Sequence, residues 1–207
     1  MTELSQKDAW NEFYRTQPRP WKGAVRNVTG FPFAKGDKVL DIGCGNGKTS
    51  SALAEEGYSV IGIDISDVAI ETCKKIYGSK MRFVCASADS IPLDDDEVDG
   101  IAMVHVLEHL TDDEILNTLK EVRRVIRTGG KIFVRVFHYD DMRSGKGKMT
   151  EDGAVVRGNG IRYRYFDETR LKNVFSGFSE ISAERIDEVT KFKEIRSRIE
   201  AVYEKPA

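Results

Sequence analysis

Apolar positions along this chain alternate between two spacings. Short apolar runs are each followed by a stretch whose apolar residues recur at helical intervals. Residues 38–42 (KVLDI) read as a buried strand, because Val39, Leu40 and Ile42 lie close together. Residues 48–56 carry Ala52, Leu53 and Ala54 among good helix formers, and Gly57 is placed as their C-cap. Residues 58–64 (YSVIGID) predict a second strand ending in an acid. Ser66 then caps a helix reaching about Tyr77, with Val68, Ala69, Ile70, Cys73 and Ile76 as its apolar face. Residues 81–86 and 99–104 (DGIAMV) predict a third and a fourth strand. Thr111 or Asp112 caps a long amphipathic helix bearing Ile115, Leu116, Leu119, Val122 and Ile126. Gly129-Gly130 ends that helix and opens a fifth strand at 131–137 (KIFVRVF). Such regular alternation requires a parallel sheet covered by helices on both faces.

The two ends of the chain follow other patterns. Residues 5–15 predict a helix with Ser5 as N-cap and with Trp10, Phe13 and Tyr14 on one side. Pro18, Pro20 and Gly23 break it. This aromatic helix and the following RPWKG (19–23) read either as a flap over a pocket or as Trp10, Phe13, Tyr14 and Trp21 packed on the sheet edge. Residues 30–36 are a loop leading to the first strand. Residues 138–160 are glycine-rich and charged; 154–157 and 161–166, joined around 158–160, predict an inserted hairpin. Asp167 caps a short helix through Phe175. Residues 178–186 and 192–203 predict two more strands, antiparallel because their link around 187–190 is tight. The expected division is a helix and flap at 1–34 and a domain at 35–207, with a lid insertion at about 138–166.

The chemistry centres on the turn after the first strand, DIGCGNGK, with glycines at 43, 45 and 47. Residues without Cβ let the backbone lie against a ligand, and the helix that follows presents free N–H groups. A dinucleotide turn needs G-x-G-x-x-G; here the third glycine comes one residue early and position 48 is Lys. Gly47-Lys48-Thr49 matches the tail of a phosphate-binding loop, but Ile42 stands where its first glycine belongs. Asp41 beside the turn repels phosphate and suits a ligand with a cationic group.

This turn resembles motif I, D-x-G-x-G-x-G, of the class I S-adenosylmethionine-dependent methyltransferases. The resemblance implies an α/β fold: a doubly wound, seven-stranded, mostly parallel sheet in the order 3-2-1-4-5-7-6 with a C-terminal antiparallel strand pair. It implies S-adenosylmethionine as cofactor and S-adenosylhomocysteine as product. It places Asp41 near the methionine amino group and Gly43, Gly45 and Gly47 beneath the cofactor. Asp64, twenty-one positions after Gly43 and followed by Ile65, stands where an acid accepts ribose hydroxyl protons. NAD would use that position too, and an acid there also serves the entry of the Ser66 helix. Ala88, Asp89 and Ser90 occupy the place where the family contacts adenine, whose amino group is a donor that suits a carboxylate. The run Val104-His105-Val106-Leu107-Glu108-His109 is similar to the V-L-E-H segment of many small members. It puts Val104 at the cofactor. His105 is either a general base or a pocket wall, while Glu108 and His109 read as turn and cap residues.

Composition narrows the partners. With 207 residues, 40% hydrophobic and 32% charged, the chain suits one α/β domain, and its net charge of −2 gives no global case for nucleic acid. Cys44, Cys73 and Cys85 are odd in number and widely spaced, matching neither a metal site nor a disulfide framework; a reducing cytoplasm is expected. No apolar run suits a membrane span, and no signal-peptide core is present. The N/D-P-P-Y signature of amino-group DNA methyltransferases is absent, so DNA is not an expected partner.

The expected activity is in-line methyl transfer to a small-molecule acceptor, with Tyr14, Trp21, Arg162 and Arg164 as substrate contacts. An acidic metabolite held by lid arginines is one form of it. The alternative is tRNA. The insertion carries Arg143, Lys146, Lys148, Arg157, Arg162 and Arg164 with Tyr163 and Tyr165, and its IRYRYF run resembles a segment of tRNA wobble-uridine ester methyltransferases. Against this, strand alternation would turn the tyrosines inward and the arginines outward, as in a plain lid. A cofactor-binding module without turnover is the third reading.

Overall fold

The computed structural model describes residues 5–17 and 30–207, and its centre is a seven-stranded sheet in the order β3-β2-β1-β4-β5-β10-β9. The strands are β1 (Lys38–Ile42), β2 (Ser59–Asp64), β3 (Arg82–Cys85), β4 (Val98–Val104), β5 (Ile126–Phe137), β9 (Ser179–Val189) and β10 (Ile195–Glu204). β1 to β5 run parallel, while β10 runs antiparallel to both β5 and β9. This is the order and the antiparallel ending expected above. The order reverses between β1 and β4, and ligands of open α/β sheets bind beyond the strand C-termini at such a reversal.

Alternation along β1 divides the core. Val39 joins a cluster with Leu53 of α2 (Lys48–Glu55) and with Ile70 and Cys73 of α3 (Asp67–Tyr77). Leu40 and Ile42 join the opposite cluster with Ile115 and Val122 of α4 (Asp112–Val125) and with Leu171 of α5 (Glu168–Val174). The helix starts follow local chemistry. Ser5, Ser66, Thr111 and Asp167 each accept a first-turn N–H, and Thr111 completes a capping box with Glu114. Helix α1 (Gln6–Thr16) is tied to α3 where Ser66 Oγ donates to Asn11 Oδ1 at 2.7 Å.

Three boundaries differ from expectation because pairing at a distance outweighs local signals. Helix α4 ends at Val125, before the glycine pair, and Ile126 already pairs with Val98. Residues 127–130 bulge out before Lys131 rejoins the register opposite Gly100. The last two strands turn at 190–194, where Thr190 N–H donates to Glu194 C=O at 2.8 Å. The insertion is a three-stranded sheet, not a lone hairpin: β6 (Lys148–Met149), β7 (Val155–Val156) and β8 (Arg162–Tyr163). It is stitched to the main sheet by Phe166 N–H to Phe137 C=O at 3.0 Å, and to the turn after β4 by Arg164 N–H to Glu108 C=O at 2.7 Å.

Candidate active site

The turn after β1 forms the floor of the crevice. Gly43 and Gly45 have φ of 68° and 52°. A Cβ on Gly43 would lie 2.7 Å from Val106 Cγ2, and one on Gly45 would lie 2.5 Å from the Tyr14 hydroxyl. Both the left-handed backbone and the close approach therefore require glycine. Asp64 ends β2 and fastens this turn: its Oδ2 accepts the Gly45 N–H and its Oδ1 the Ser66 N–H, both at 2.8 Å. Each carboxylate oxygen keeps a further acceptor site. Burial pushes Asp64 up to about 6, against the pull of those two N–H donors.

At the end of β4, His105 has φ of 59°, and its N–H donates to Arg135 C=O at 2.8 Å. Its ring stacks on Phe137 with centroids 4.1 Å apart. Its Nδ1 lies 2.8 Å from Glu108 Oε1, which also accepts the Phe137 N–H at 2.8 Å. Glu108 is 0% exposed, and its Oε2 has no hydrogen-bond partner among the described residues. An acceptor-only carboxylate beside Nδ1 assigns the ring proton to that nitrogen and leaves Nε2 as a base. His109 lies next to it, with Nδ1 donating to Arg162 C=O at 2.7 Å and its ring against Trp10 and Tyr163. Burial lowers its pKa and keeps it neutral.

These groups face one cavity of about 920 Å³, a size typical of small-molecule sites. Gly43, Gly45, Asp64, Ile65, Ala88, Asp89, Val104, His105 and Tyr14 all line it. Asp41, Gly47 and Ser90 do not. Asp41 is 1% exposed behind the turn, accepts the Ser50 hydroxyl at 2.6 Å, and is pushed up to about 7 by burial. Gly47 faces Tyr77 and Cys73, and Ser90 is exposed outside the cavity. Trp21 lies outside the described residues.

Arg162 and Arg164 also stay out of the cavity. Arg164, 1% exposed, pairs with Asp112 and with Asp152 at 2.7 Å, and Arg162 pairs with Asp152. Outward-facing arginines are therefore not what the hairpin presents. The lid draws Arg164 inward because acids from α4 and from its own turn are there to neutralise it. Tyr163 lines the cavity, as do Arg143 and Arg157, which lie over the rings of Phe137 and Tyr163 at 4.0 and 3.8 Å.

Sequence reasoning did not single out Glu108 or His109 as site residues. The spacing His105-x-x-Glu108 was the available signal, since residues three apart overlie one another in a 3₁₀ turn such as Leu107–His109. Lys48, Arg135, Arg196 and Arg198 also line the cavity, on a wall that depends on the pairing of β10 with β5.

The strand order, the glycine turn and the crevice at its reversal define a class I methyltransferase fold. Residues 40–134 match the family model described as a methyltransferase domain. Over 102 residues the chain is 33% identical to a ubiquinone biosynthesis O-methyltransferase of Coxiella burnetii, covering 48% of this chain and 43% of that protein. It is 26% identical over 191 residues to the tRNA N(3)-cytidine methyltransferase METTL2 of Gallus gallus, covering 82% and 52%. The chain thus spans about half the length of these relatives. Among solved structures, it resembles the Burkholderia thailandensis 1,6-didemethyltoxoflavin-N1-methyltransferase with 1,6-didemethyltoxoflavin and S-adenosylhomocysteine bound. There the TM-score is 0.66 and the identity 18%, over 100% of this chain and 80% of that one. No helix among the described residues is long and apolar enough to cross a membrane.

Proposed function

We propose that this protein transfers the methyl group of S-adenosylmethionine to an O–H or N–H nucleophile on a small molecule, with His105 as general base. The observation behind this reading is that His105, backed by Glu108, shares one cavity with the glycine floor and Asp64.

The residues fit the cofactor. The floor can pack this closely under Val106 and Tyr14, with its backbone turned left-handed, only because Gly43 and Gly45 lack Cβ. Asp64 retains acceptor capacity for two ribose hydroxyls. Asp89 is an exposed cavity-lining carboxylate for an adenine amino group, and Ile65, Ala88 and Val104 supply apolar contact for its ring. The bound cofactor supplies a methyl group already activated by a sulfonium. The protein's part is to aim the acceptor, exclude water and take a proton. Positioning accounts for about 7–11 kcal/mol of barrier in well-oriented reactions. A base at Nε2 of His105 adds about 10²–10⁴-fold. Tyr14, with its hydroxyl against Gly45, is proposed to border the acceptor space. The free thiols of Cys44, Cys73 and Cys85 suit a reducing compartment such as the cytoplasm.

The METTL2 relative, matched over most of this chain, supports tRNA as a second reading. A small acceptor is favoured because Arg162 and Arg164 are engaged by Asp112 and Asp152 instead of being offered to a phosphate backbone. The test is turnover of methyl-labelled S-adenosylmethionine with phenolic and amine acceptors in parallel with bulk tRNA. Label in a small product with weak salt dependence is expected. Label in tRNA, falling steeply with salt, would replace this reading with the second.

A further inference from the structure

The wall of the cavity formed by β5 and β10 carries positive charge that the cofactor contacts above do not use. Arg135 on β5 and Arg198 on β10 share Glu200 Oε1, each at 2.8 Å, and Arg198 also reaches Glu188 at 3.0 Å. Lys48, at the start of α2, and Arg196, at the rim, face the same space. Neither has an ion pair or hydrogen bond among the described residues. Among the described residues this wall carries Lys48, Arg135, Arg196 and Arg198, with Glu188 and Glu200 as the acids that meet Arg135 and Arg198. Proximity shows in their titration: Lys48 is held below its ordinary value by burial and then by Arg135 and Arg196, and Arg196 by burial and then by Arg143, against the pull of Asp141 and of Glu188 opposite it on β9. Cations arranged to repel one another beside a cavity are in place for an anion.

From this wall we infer that the acceptor carries a carboxylate or phosphate, bound by Arg196 and Lys48 while its nucleophilic atom faces His105. The inference rests on the methyltransferase reading and adds the substrate class. The residues assigned to cofactor lie at the ends of β1 to β4; Lys48 adjoins them at the start of α2, whereas Arg196 lies on β10, two strands beyond β4 in the sheet. With strands about 4.8 Å apart, the anion and the nucleophile are separated by roughly 10 Å, the reach of a substituted aromatic acid. Phe137 and Tyr163, their rings already held by His105, Arg143 and Arg157, line the same cavity.

The cofactor's own methionyl carboxylate is the other anion that could meet this wall, so the test separates the two. Benzoate and benzamide, equal in shape and different in charge, are titrated into S-adenosylhomocysteine-loaded protein by NMR. Saturable benzoate binding is expected, with benzamide at least tenfold weaker. Arg196→Gln and Lys48→Gln should each weaken benzoate at least tenfold, with S-adenosylhomocysteine affinity changed less than threefold. Absence of saturable benzoate binding, equal binding of benzamide, or unaltered benzoate binding in both variants overturns the inference. So does a tenfold loss of S-adenosylhomocysteine affinity in the variants, or displacement of that ligand by benzoate, since either gives the wall to the cofactor. Displacement of benzoate by tRNA but by no small acid would assign it to RNA phosphate and overturn it as well. Failure of wild-type protein to bind S-adenosylhomocysteine at all sinks the underlying reading instead.

Discussion

His105 Nδ1 lies 2.8 Å from Oε1 of the fully buried Glu108, so one side of the imidazole is fixed while the residue lines the cavity. His105→Ala is expected to lower kcat by about 10²–10⁴-fold while S-adenosylhomocysteine affinity changes little. Glu108→Gln keeps an oxygen for the Phe137 N–H but loses the charge facing the ring, and should lower kcat by roughly tenfold or more. The two losses should be far from additive in the double variant, because Glu108 acts through His105. Additive losses, or a main effect on cofactor affinity, would make His105 a pocket wall.

Cofactor binding should depend on pH through Asp64. Burial raises this carboxyl to about 6, and ribose hydroxyls donate more strongly to its charged form. The complex therefore holds fewer protons than the free protein below that value. Affinity for S-adenosylhomocysteine should rise from pH 5 to about 6 and level off above. Asp64→Asn should bind at least tenfold more weakly and show a flatter profile by calorimetry.

Asp41 acts on stability with the opposite slope. Its folded value of about 7 lies above the ordinary carboxylate range, so the folded chain binds the extra proton. Its contribution is present below the unfolded value and is lost as pH rises through about 7. Urea unfolding should show wild type less stable at pH 8 than at pH 5, with Asp41 responsible for at most about 3 kcal/mol of the difference and Asp64, raised to about 6, for about 1 kcal/mol more. Asp41→Asn should remove the part of that slope between about pH 6 and 7 and leave the part due to Asp64. An unchanged slope would mean that the buried carboxyl is relaxed by solvent.

Gly45 and the Tyr14 hydroxyl exclude one another's growth. Gly45→Ala places a methyl group 2.5 Å from that oxygen at a left-handed φ, and should cost about 2–4 kcal/mol. Adding Tyr14→Phe removes the clashing atom and should restore part of the loss, because the next ring atom is 3.5 Å away. The backbone strain would remain. Thermal unfolding of the single and double variants measures the coupling.

Arg164 distinguishes a structural lid from an RNA surface. Arg164→Ala strips a buried cation from Asp112 and Asp152, whose partial exposure tempers the effect, and should cost about 2–4 kcal/mol. Any retention of tRNA on filters should be unaffected at temperatures where the variant is folded. A selective loss of tRNA retention would contradict the small-acceptor reading.

What could be read in advance was local. Ser5, Ser66, Thr111 and Asp167 cap their helices as their types predict, because a capping oxygen needs only the next turn. The strand order followed from resemblance to a family, since alternation alone specifies no order. The missed features depend on distant contacts. Ile126 leaves its helix because Val98 offers a pairing partner. Arg164 turns inward because Asp112 and Asp152 converge on it. Arg196 and Arg198 reach the cavity because β10 pairs with β5 so that Arg198 stands opposite Phe137. No spacing within one segment reports such meetings.

Calorimetric titration of wild-type protein and Asp64→Ala with S-adenosylhomocysteine and with NADH addresses the crevice directly. One molecule of S-adenosylhomocysteine should bind per chain, at least tenfold more weakly in the variant, and NADH should not bind. Binding of the dinucleotide in its place, or equal affinity of both proteins for S-adenosylhomocysteine, would contradict the assignment of the glycine turn and Asp64.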